Sequence, residues 1–250
     1  MKRMFTKMLL PVAMLAVLSG CKKDEDNTPQ QPSAVSPTQT FNYSDAWGLL
    51  AGVKTVTSQS TPIGPIDIEL GTAVAAFNVS AGSSEYQDAG TVSCNTKGLT
   101  KQTGNSYVFQ PSQADVTGIE FNNGSSWNVS GSTNVPAFTA SFNQFPSTPT
   151  LNSTNDVTLA DGYTVSFTSV SGADSVLVIL ATNNSYAEKR LAGWQNSATF
   201  TASDLNGLSA SQYGMIQVTP YTWDVRTNLI PGKKVYMVNQ VTVTKIVEFK

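Results

Sequence analysis

From residue 41 to the end of the chain, apolar residues recur at every second position in short runs, and no long stretch repeats them at helical spacing. Residues 66–70 (Ile-Asp-Ile-Glu-Leu) alternate strictly and predict a half-buried strand, which residues 73–79 continue. Residues 176–180 (Val-Leu-Val-Ile-Leu) are apolar throughout, which is typical of a strand buried on both faces. The pattern predicts an all-β body.

Turn-forming pairs separate several of these runs. Asn123-Gly124 lies between residues 116–121 and 125–129, and Asp161-Gly162 lies between residues 157–159 and 163–167. Both pairs suit the positive φ angles of a tight turn, so we predict a β-hairpin at each. Further apolar runs follow at residues 198–202, 215–218, 235–238 and 241–249. Short strands with turn residues between them predict β-sandwich architecture.

The length of 250 residues suits one large domain or two ordinary ones. A turn-rich stretch at residues 131–136 predicts a boundary, with one β domain at 41–135 and a β-sandwich at 136–250. Residues 173–179 and 199–205, with the paired late strands, resemble the fibronectin type III or immunoglobulin-like domains of exported Bacteroidetes proteins. The Cys…Trp…Cys spacing of antibody domains is missing, so the resemblance does not imply a true antibody-like domain.

The amino-terminal 20 residues have the layout of a signal peptide. Residues 1–7 are basic, and the apolar run at 8–18 is too short to span a bilayer, which takes about 20 residues. The run ends in Leu18-Ser19-Gly20-Cys21, which resembles the lipobox of bacterial lipoproteins. That resemblance implies cleavage before Cys21 and a diacylglycerol on its thiol, and lipid chains of this kind hold a protein on a membrane.

Residues 21–40 are predicted to be a flexible, disordered tether, because they combine three prolines with Gln, Ser, Thr and charged residues. Lys23-Asp24-Glu25 resembles the surface-export signal of Bacteroidetes lipoproteins. The resemblance implies an outer-membrane lipoprotein that faces the cell surface. The alternative is the periplasmic face, because a charge run also occurs in a plain solvated tether.

The charge and the cysteine content limit the classes of partner that the chain can bind. Cleavage before Cys21 would remove Lys2, Arg3 and Lys7 from 15 basic residues, which leaves 12 against 17 acidic residues, a formal charge of −5. An acidic, charge-poor chain argues against a nucleic-acid partner, which requires a basic face. Cys94 would have no partner inside the chain. We expect it to be a buried core thiol, and the alternative is a free thiol for intermolecular pairing.

The chain has no histidine, which excludes Ser-His-Asp and Cys-His catalysis and removes the commonest zinc ligand. No phosphate-binding or dinucleotide-binding glycine motif occurs, so we expect no cofactor and no enzyme activity. Asp67 and Glu69 share one face of a predicted strand and form a formal pair of carboxylates for glycoside hydrolysis. Their alternation is explained equally by the wet face of an amphipathic strand, which we favour.

Two functions remain. The first is a structural role or a protein-interaction role in the envelope, and the second is a surface glycan-binding lipoprotein of a polysaccharide-uptake system. For glycan binding, Trp194 and Trp223 are the candidate stacking residues, because they lie in loop or strand-end contexts. Exposed aromatics lining a groove would favour a glycan, whereas a flat apolar patch or an open edge strand would favour a protein.

One further motif concerns modification. Asp174-Ser175-Val176 resembles the acceptor for O-glycosylation in Bacteroidetes, and it implies a glycan on Ser175. The alternative is a loop that leads into a core strand. The sequence contains no signal for the oligomeric state.

Overall fold

The computed structural model describes residues 43–61, 64–113, 115–182 and 185–250, without the side chains of 58–61 and 64–66. The predicted signal peptide at 1–20, the lipidation site Cys21 and the tether at 21–40 lie outside the described residues. The regular secondary structure of the described chain is β-strand, apart from two short 3-10 helices at Tyr43–Asp45 and Leu159–Asp161. The predicted all-β, sandwich-type fold is confirmed.

The strands, in chain order, are β1 (Ala46–Thr61), β2 (Gly64–Phe77), β3 (Val92–Cys94), β4 (Lys97–Gly98), β5 (Thr100–Lys101), β6 (Tyr107–Phe109), β7 (Ser125–Val129), β8 (Phe138–Phe142), β9 (Asp156–Val157), β10 (Tyr163–Ser166), β11 (Ser175–Ala181), β12 (Tyr186–Ala192), β13 (Ser197–Phe200), β14 (Ser211–Ile230) and β15 (Lys233–Phe249).

These strands form three sheets. The largest has nine strands in the order β12-β11-β14-β15-β1-β2-β6-β5, with β9 paired to the end of β15. Two smaller sheets have the orders β4-β3-β7-β8 and β10-β13. β14 and β15 form one long hairpin of 20 and 17 residues, and β1 runs parallel to β15. The largest sheet is therefore built around this hairpin.

The two largest hydrophobic cores lie on the same face of the nine-stranded sheet. The first core joins β1, β2 and the turn end of the β14–β15 hairpin to the four-stranded sheet, which contributes Cys94 and Trp127. The second core joins β11 and the other end of the hairpin to the two-stranded sheet, which contributes Val165 and Phe200. Small sheets thus pack on one face of a large one, as in a sandwich.

The predicted division near residue 135 stays a prediction. Strands from both sides of it belong to the nine-stranded sheet, because β1 pairs with β15 over residues 46–57 and 234–244. The first core also takes Ile230, Val235 and Met237 from the late hairpin. The two halves therefore share a sheet and part of a core.

Both predicted hairpins are wrong, although the turns exist. Gly124 has φ +87 and closes a tight turn, but β7 pairs with β3 and β8 instead of residues 116–121. At the second site, residues 159–161 form a 3-10 helix, so β9 pairs with β15 and β10 pairs with β13. Turn chemistry describes a local bend, whereas strand partners here are chosen by distant core contacts.

The strand predicted at residues 66–70 exists but is not half-buried as expected. β2 runs continuously from residue 64 to 77, and Asp67, Ile68 and Glu69 are all exposed. This end of β2 has passed the edge of the first core, so neither face is covered by its packing. By contrast, the strand predicted at 176–180 is buried at every position, as expected.

Cys94 is a buried thiol in the first core, and this prediction is confirmed. Burial raises the pKa of the Cys94 thiol to about 12, so the thiol stays protonated at neutral pH. Trp127, which pairs with Cys94 across the β3–β7 ladder, is fully buried beside it. Both residues therefore serve packing.

An acidic side chain fixes the loop that precedes β3. One carboxylate oxygen of Asp88 contacts the Lys101 ammonium at 2.9 Å and accepts hydrogen bonds from the Tyr107 hydroxyl at 2.8 Å and the Gly90 N–H at 2.9 Å. The Tyr107 hydroxyl oxygen accepts a hydrogen bond from the Ala89 N–H at 2.8 Å. These interactions, with Lys101 the strongest, lower the pKa of Asp88 to about 2.

Replacing Asp88 by Asn is expected to destabilise the fold at neutral pH and to do so less in acid. The folded pKa lies below the ordinary value, so the stabilisation by the carboxylate is present above about pH 4 and is lost as the pH falls towards 2. The difference in melting temperature between the native chain and Asp88→Asn should therefore shrink between pH 7 and pH 2.5. An equal difference at both pH values would contradict this assignment.

Candidate functional site

The two candidate tryptophans occupy different environments. Trp194 lies in the turn after β12 and is 80% exposed, the highest exposure among the large hydrophobic residues that the structure describes. Trp223 lies within β14 and is half-buried, with its ring 5.8 Å from the ring of Tyr221 at an angle of 33°. It packs in a cluster with Tyr236 and Val238 of β15.

Asp174 ties the two tryptophan-bearing segments together. Its carboxylate accepts hydrogen bonds from the Thr222 hydroxyl at 2.7 Å and the Trp223 N–H at 3.1 Å. Its backbone carbonyl accepts the Gly193 N–H at 3.0 Å, one residue before Trp194. Trp194 and Trp223 are therefore held on either side of the start of β11, one projecting into solvent and the other packed on the sheet.

The face of the nine-stranded sheet opposite both cores is called the outer face here. The registers of β11, β14, β15, β1 and β2 assign residues to it in rows, such as Ser175–Tyr221–Gln240–Val53. From the row of Val225 to the row of Met215, these five strands place Ser, Thr, Gln, Ala, Val, Leu, Ile, Met, Tyr and Trp on the outer face. This stretch of the face carries no charged side chain.

The middle rows of the outer face are buried and joined by polar side chains. The Gln217 amide donates to the Thr219 hydroxyl at 3.0 Å, and the hydroxyls of Thr219 and Thr242 are 3.3 Å apart. The Thr219–Thr242 pair links β14 to β15 across the ladder, and cross-strand hydroxyl pairs of this kind stabilise a sheet. The middle of the outer face is therefore buried and carries a cross-strand hydrogen bond.

One end of the outer face is apolar and exposed. Register pairing sets Tyr186, Ala181, Met215 and Ile246 side by side on four neighbouring strands, and we call this set the apolar row. Tyr186 is 51% exposed and Ile246 is 61% exposed, and Tyr213, just before the row on β14, is 71% exposed. Three of the seven large exposed hydrophobic residues of the described chain therefore lie together at this end of the sheet, which makes it a candidate interaction surface.

Sequence reasoning missed the apolar row. The available signal was Ile246, an apolar residue in the polar phase of the strand Val241–Phe249, whose other apolar residues at 241, 243, 247 and 249 face the core. Met215 interrupts β14 in the same way, beside the buried Ile216 and Val218. Neither residue identifies a site until the register places them next to each other.

The predicted carboxylate pair has a plain structural setting. Asp67 and Glu69 are both exposed, and Glu69 forms an ion pair with Lys54 at 3.4 Å. Glu69 borders a cleft of about 280 Å³ whose other lining residues include Lys54, Glu120 and Phe121. Within the described ranges, no group of three or more Cys, Asp and Glu side chains is arranged to hold a metal ion.

The acceptor motif at Ser175 lies inside the sheet. Ser175 is 8% exposed and is paired on one side with Ala192 and on the other with Tyr221. A glycosyl group on this hydroxyl requires solvent access that the folded strand does not offer. The burial argues against modification of the folded chain.

Comparison with protein-family models finds no match, and comparison with curated proteins finds none. The resemblances to bacterial lipoproteins and to fibronectin type III domains therefore stay predictions from the sequence. In the described part of the chain, no helix has the length and apolar character needed to cross a bilayer.

The apolar row predicts a contrast between two adjacent residues of β15. Ile246→Lys should change the free energy of unfolding by no more than about 0.5 kcal/mol, because its side chain is exposed. Val247→Lys should cost about 3 kcal/mol or more, because it forces a charge into the second core. Urea unfolding measures both, and similar losses for the two variants would mean that Ile246 is not on an exposed face.

Proposed function

We propose that this chain is a lipid-anchored protein of the cell envelope whose body binds another envelope protein and catalyses no reaction. The observation that carries the proposal is the apolar row, a set of aromatic and aliphatic side chains on the outer face in which Tyr186 and Ile246 are exposed. Tyr and Met are residue types that protein interfaces concentrate, and charged residues are depleted at the centre of such interfaces.

The surroundings of the apolar row support a specific chemistry for the partner. Glu188 and Arg190 on β12 are exposed beside it and form a charged rim. A surface that fits would present apolar or aromatic groups to the row and polar groups to the rim, because complementarity at both levels excludes water from the centre of an interface.

The glycan-binding alternative rests on aromatic side chains. Trp194 is exposed enough to stack on a sugar ring, but Trp223 is half-buried against Tyr221. A flat apolar patch supports a protein partner more strongly than one exposed ring supports a glycan. Glycan binding stays a prediction.

The anchor part of the proposal is supported by the sequence around Cys21. In cells of the native host, we expect the chain to sediment with membranes and to have a mass that lacks residues 1–20 and includes lipid. Cys21→Ser should abolish the lipid increment and leave the chain uncleaved or in the soluble fraction. Cys94→Ser is the matched control and should remain on the membrane, because Cys94 is a core thiol. Membrane attachment of Cys21→Ser with unchanged mass would contradict the proposal.

The binding part can be tested with a photo-crosslinking amino acid at one position of the full-length chain. Benzoylphenylalanine in place of Ile246 should give an adduct of discrete mass on irradiation of intact cells. The same residue in place of Val116, an exposed hydrophobic residue remote from the apolar row, is the matched control and should give none.

Adding Met215→Lys to the Ile246 probe should abolish the adduct, because a charge in the middle of the apolar row prevents docking. Adducts at both positions, or at neither, would overturn the protein-binding proposal. An adduct of twice the mass of the chain would identify a second copy as the partner.

A further inference from the structure

The edge strand β12 has main-chain groups that point away from the sheet. Gly193 donates its N–H to Asp174 across the β11–β12 ladder, whereas Ala192 bonds to Gln195 through its N–H and its carbonyl. Main-chain groups alternate sides along an antiparallel strand, so Glu188 and Arg190 point theirs in the same direction as Ala192. β12 is the terminal strand in the order of the nine-stranded sheet.

The side chains of β12 carry alternating chemistry. Glu188 and Arg190 are exposed and lie on the outer face, opposite Ile179 and Leu177 of β11. Lys189 between them lies on the other face, where its ammonium contacts Asp204 at 3.0 Å and the Phe200 ring at 5.5 Å. The open edge therefore presents one acid and one base on its outer face, two residues apart.

A strand with this pattern is complementary to a second copy of itself. In an antiparallel pair, residues with outward main-chain groups must face one another, so a two-fold axis can pass near residue 188, 189 or 190. An axis at 188 sets Glu against Glu, and an axis at 190 sets Arg against Arg. An axis at Lys189 sets Glu188 of each copy against Arg190 of the other. Charge selects this register, because opposite charges directly across a ladder stabilise it and like charges destabilise it.

We propose that β12 pairs antiparallel with β12 of a second copy about a two-fold axis at Lys189, which joins two nine-stranded sheets into one. In each Glu188–Arg190 pair the two residues exchange main-chain hydrogen bonds, and their side chains of opposite charge lie next to each other. Lys189 meets its own copy on the other face, where Asp204 already balances its charge. The register also sets Tyr186 opposite Ala192 and brings the exposed Trp194 alongside the start of the other β12.

Charged residues on an edge strand commonly prevent edge-to-edge pairing. Here their signs alternate in a way that satisfies both charges in one register, and the outward main-chain groups of Glu188 and Arg190 meet those of the second copy. This inference does not depend on the apolar row, because it rests on the backbone edge and the charges of β12.

The test is sedimentation equilibrium of the chain without its first 21 residues, a form that keeps every described residue, over a wide concentration range. The native chain should form a dimer. Arg190→Glu and Glu188→Arg should each weaken the dimer about tenfold or more, because each sets like charges against each other twice. The double variant Glu188→Arg/Arg190→Glu should restore native affinity, which a variant that merely damaged the fold would not do.

A cysteine at the axis gives an independent measurement. Residue 189 faces its own copy as a non-hydrogen-bonded pair, with Cα atoms about 4.5 Å apart, which is within disulfide range. Lys189→Cys should therefore form an intermolecular disulfide on mild oxidation. Leu191→Cys, which would face Ala187 of the second copy, should not.

A native chain that stays monomeric, single variants that dimerise normally, or a double variant that fails to recover would each overturn the proposal. So would a Lys189→Cys chain that stays reduced under conditions where the dimer forms. None of these results bears on the Ile246 crosslink, so failure of this inference is distinguishable from failure of the proposed function.

Discussion

The fold depends on the ladder between β14 and β15. This hairpin is the only element of the described chain that enters both hydrophobic cores: Ile230, Val235 and Met237 fill the first, and Ile216, Val218 and Phe249 fill the second. It also provides the edges on which β11 and β1 assemble. Because β1 pairs with β15 across almost the whole sequence, the nine-stranded sheet is complete only after β15 has joined it. Contacts of such high sequence separation fold slowly, since the entropy of loop closure is lost before the contacts form.

Strand identity was readable from the sequence, and strand partners were not. Alternation and the apolar run at 176–180 are local signals, and the all-β class followed from them. The Asn123-Gly124 and Asp161-Gly162 turns are also real, yet the segments on either side of each turn do not pair with each other. A turn motif reports backbone angles over four residues, whereas pairing is decided by which apolar faces meet in a core. The first core recruits residues from 50 to 237, a separation that no local pattern encodes.

The candidate site divides in the same way. The exposure of Trp194 could be anticipated, because Gly193 and Gln195 mark a turn. The packing of Trp223 against Tyr221 could not, since it depends on which phase of β14 faces the cores. The apolar row is further from prediction, because its members come from four strands and become neighbours only through three registers. Single apolar residues at positions that alternation assigns to the solvent-facing side are visible in the sequence. That they lie side by side on one surface becomes visible only when the strand registers are known.

The parallel pairing of β1 with β15 sets the direction of the molecule. Ala46 is level with Lys234, and Ile246 lies twelve residues further along β15, which at about 3.3 Å per residue is roughly 40 Å. The chain therefore enters the sheet at one end of the β1–β15 ladder, and the apolar row lies towards the opposite end. For a body attached through residues that precede Tyr43, the sheet acts as a spacer. The sheet holds the apolar row away from the point of attachment. The distance between the row and that point is therefore determined by the length of the strands as well as by the length of the tether.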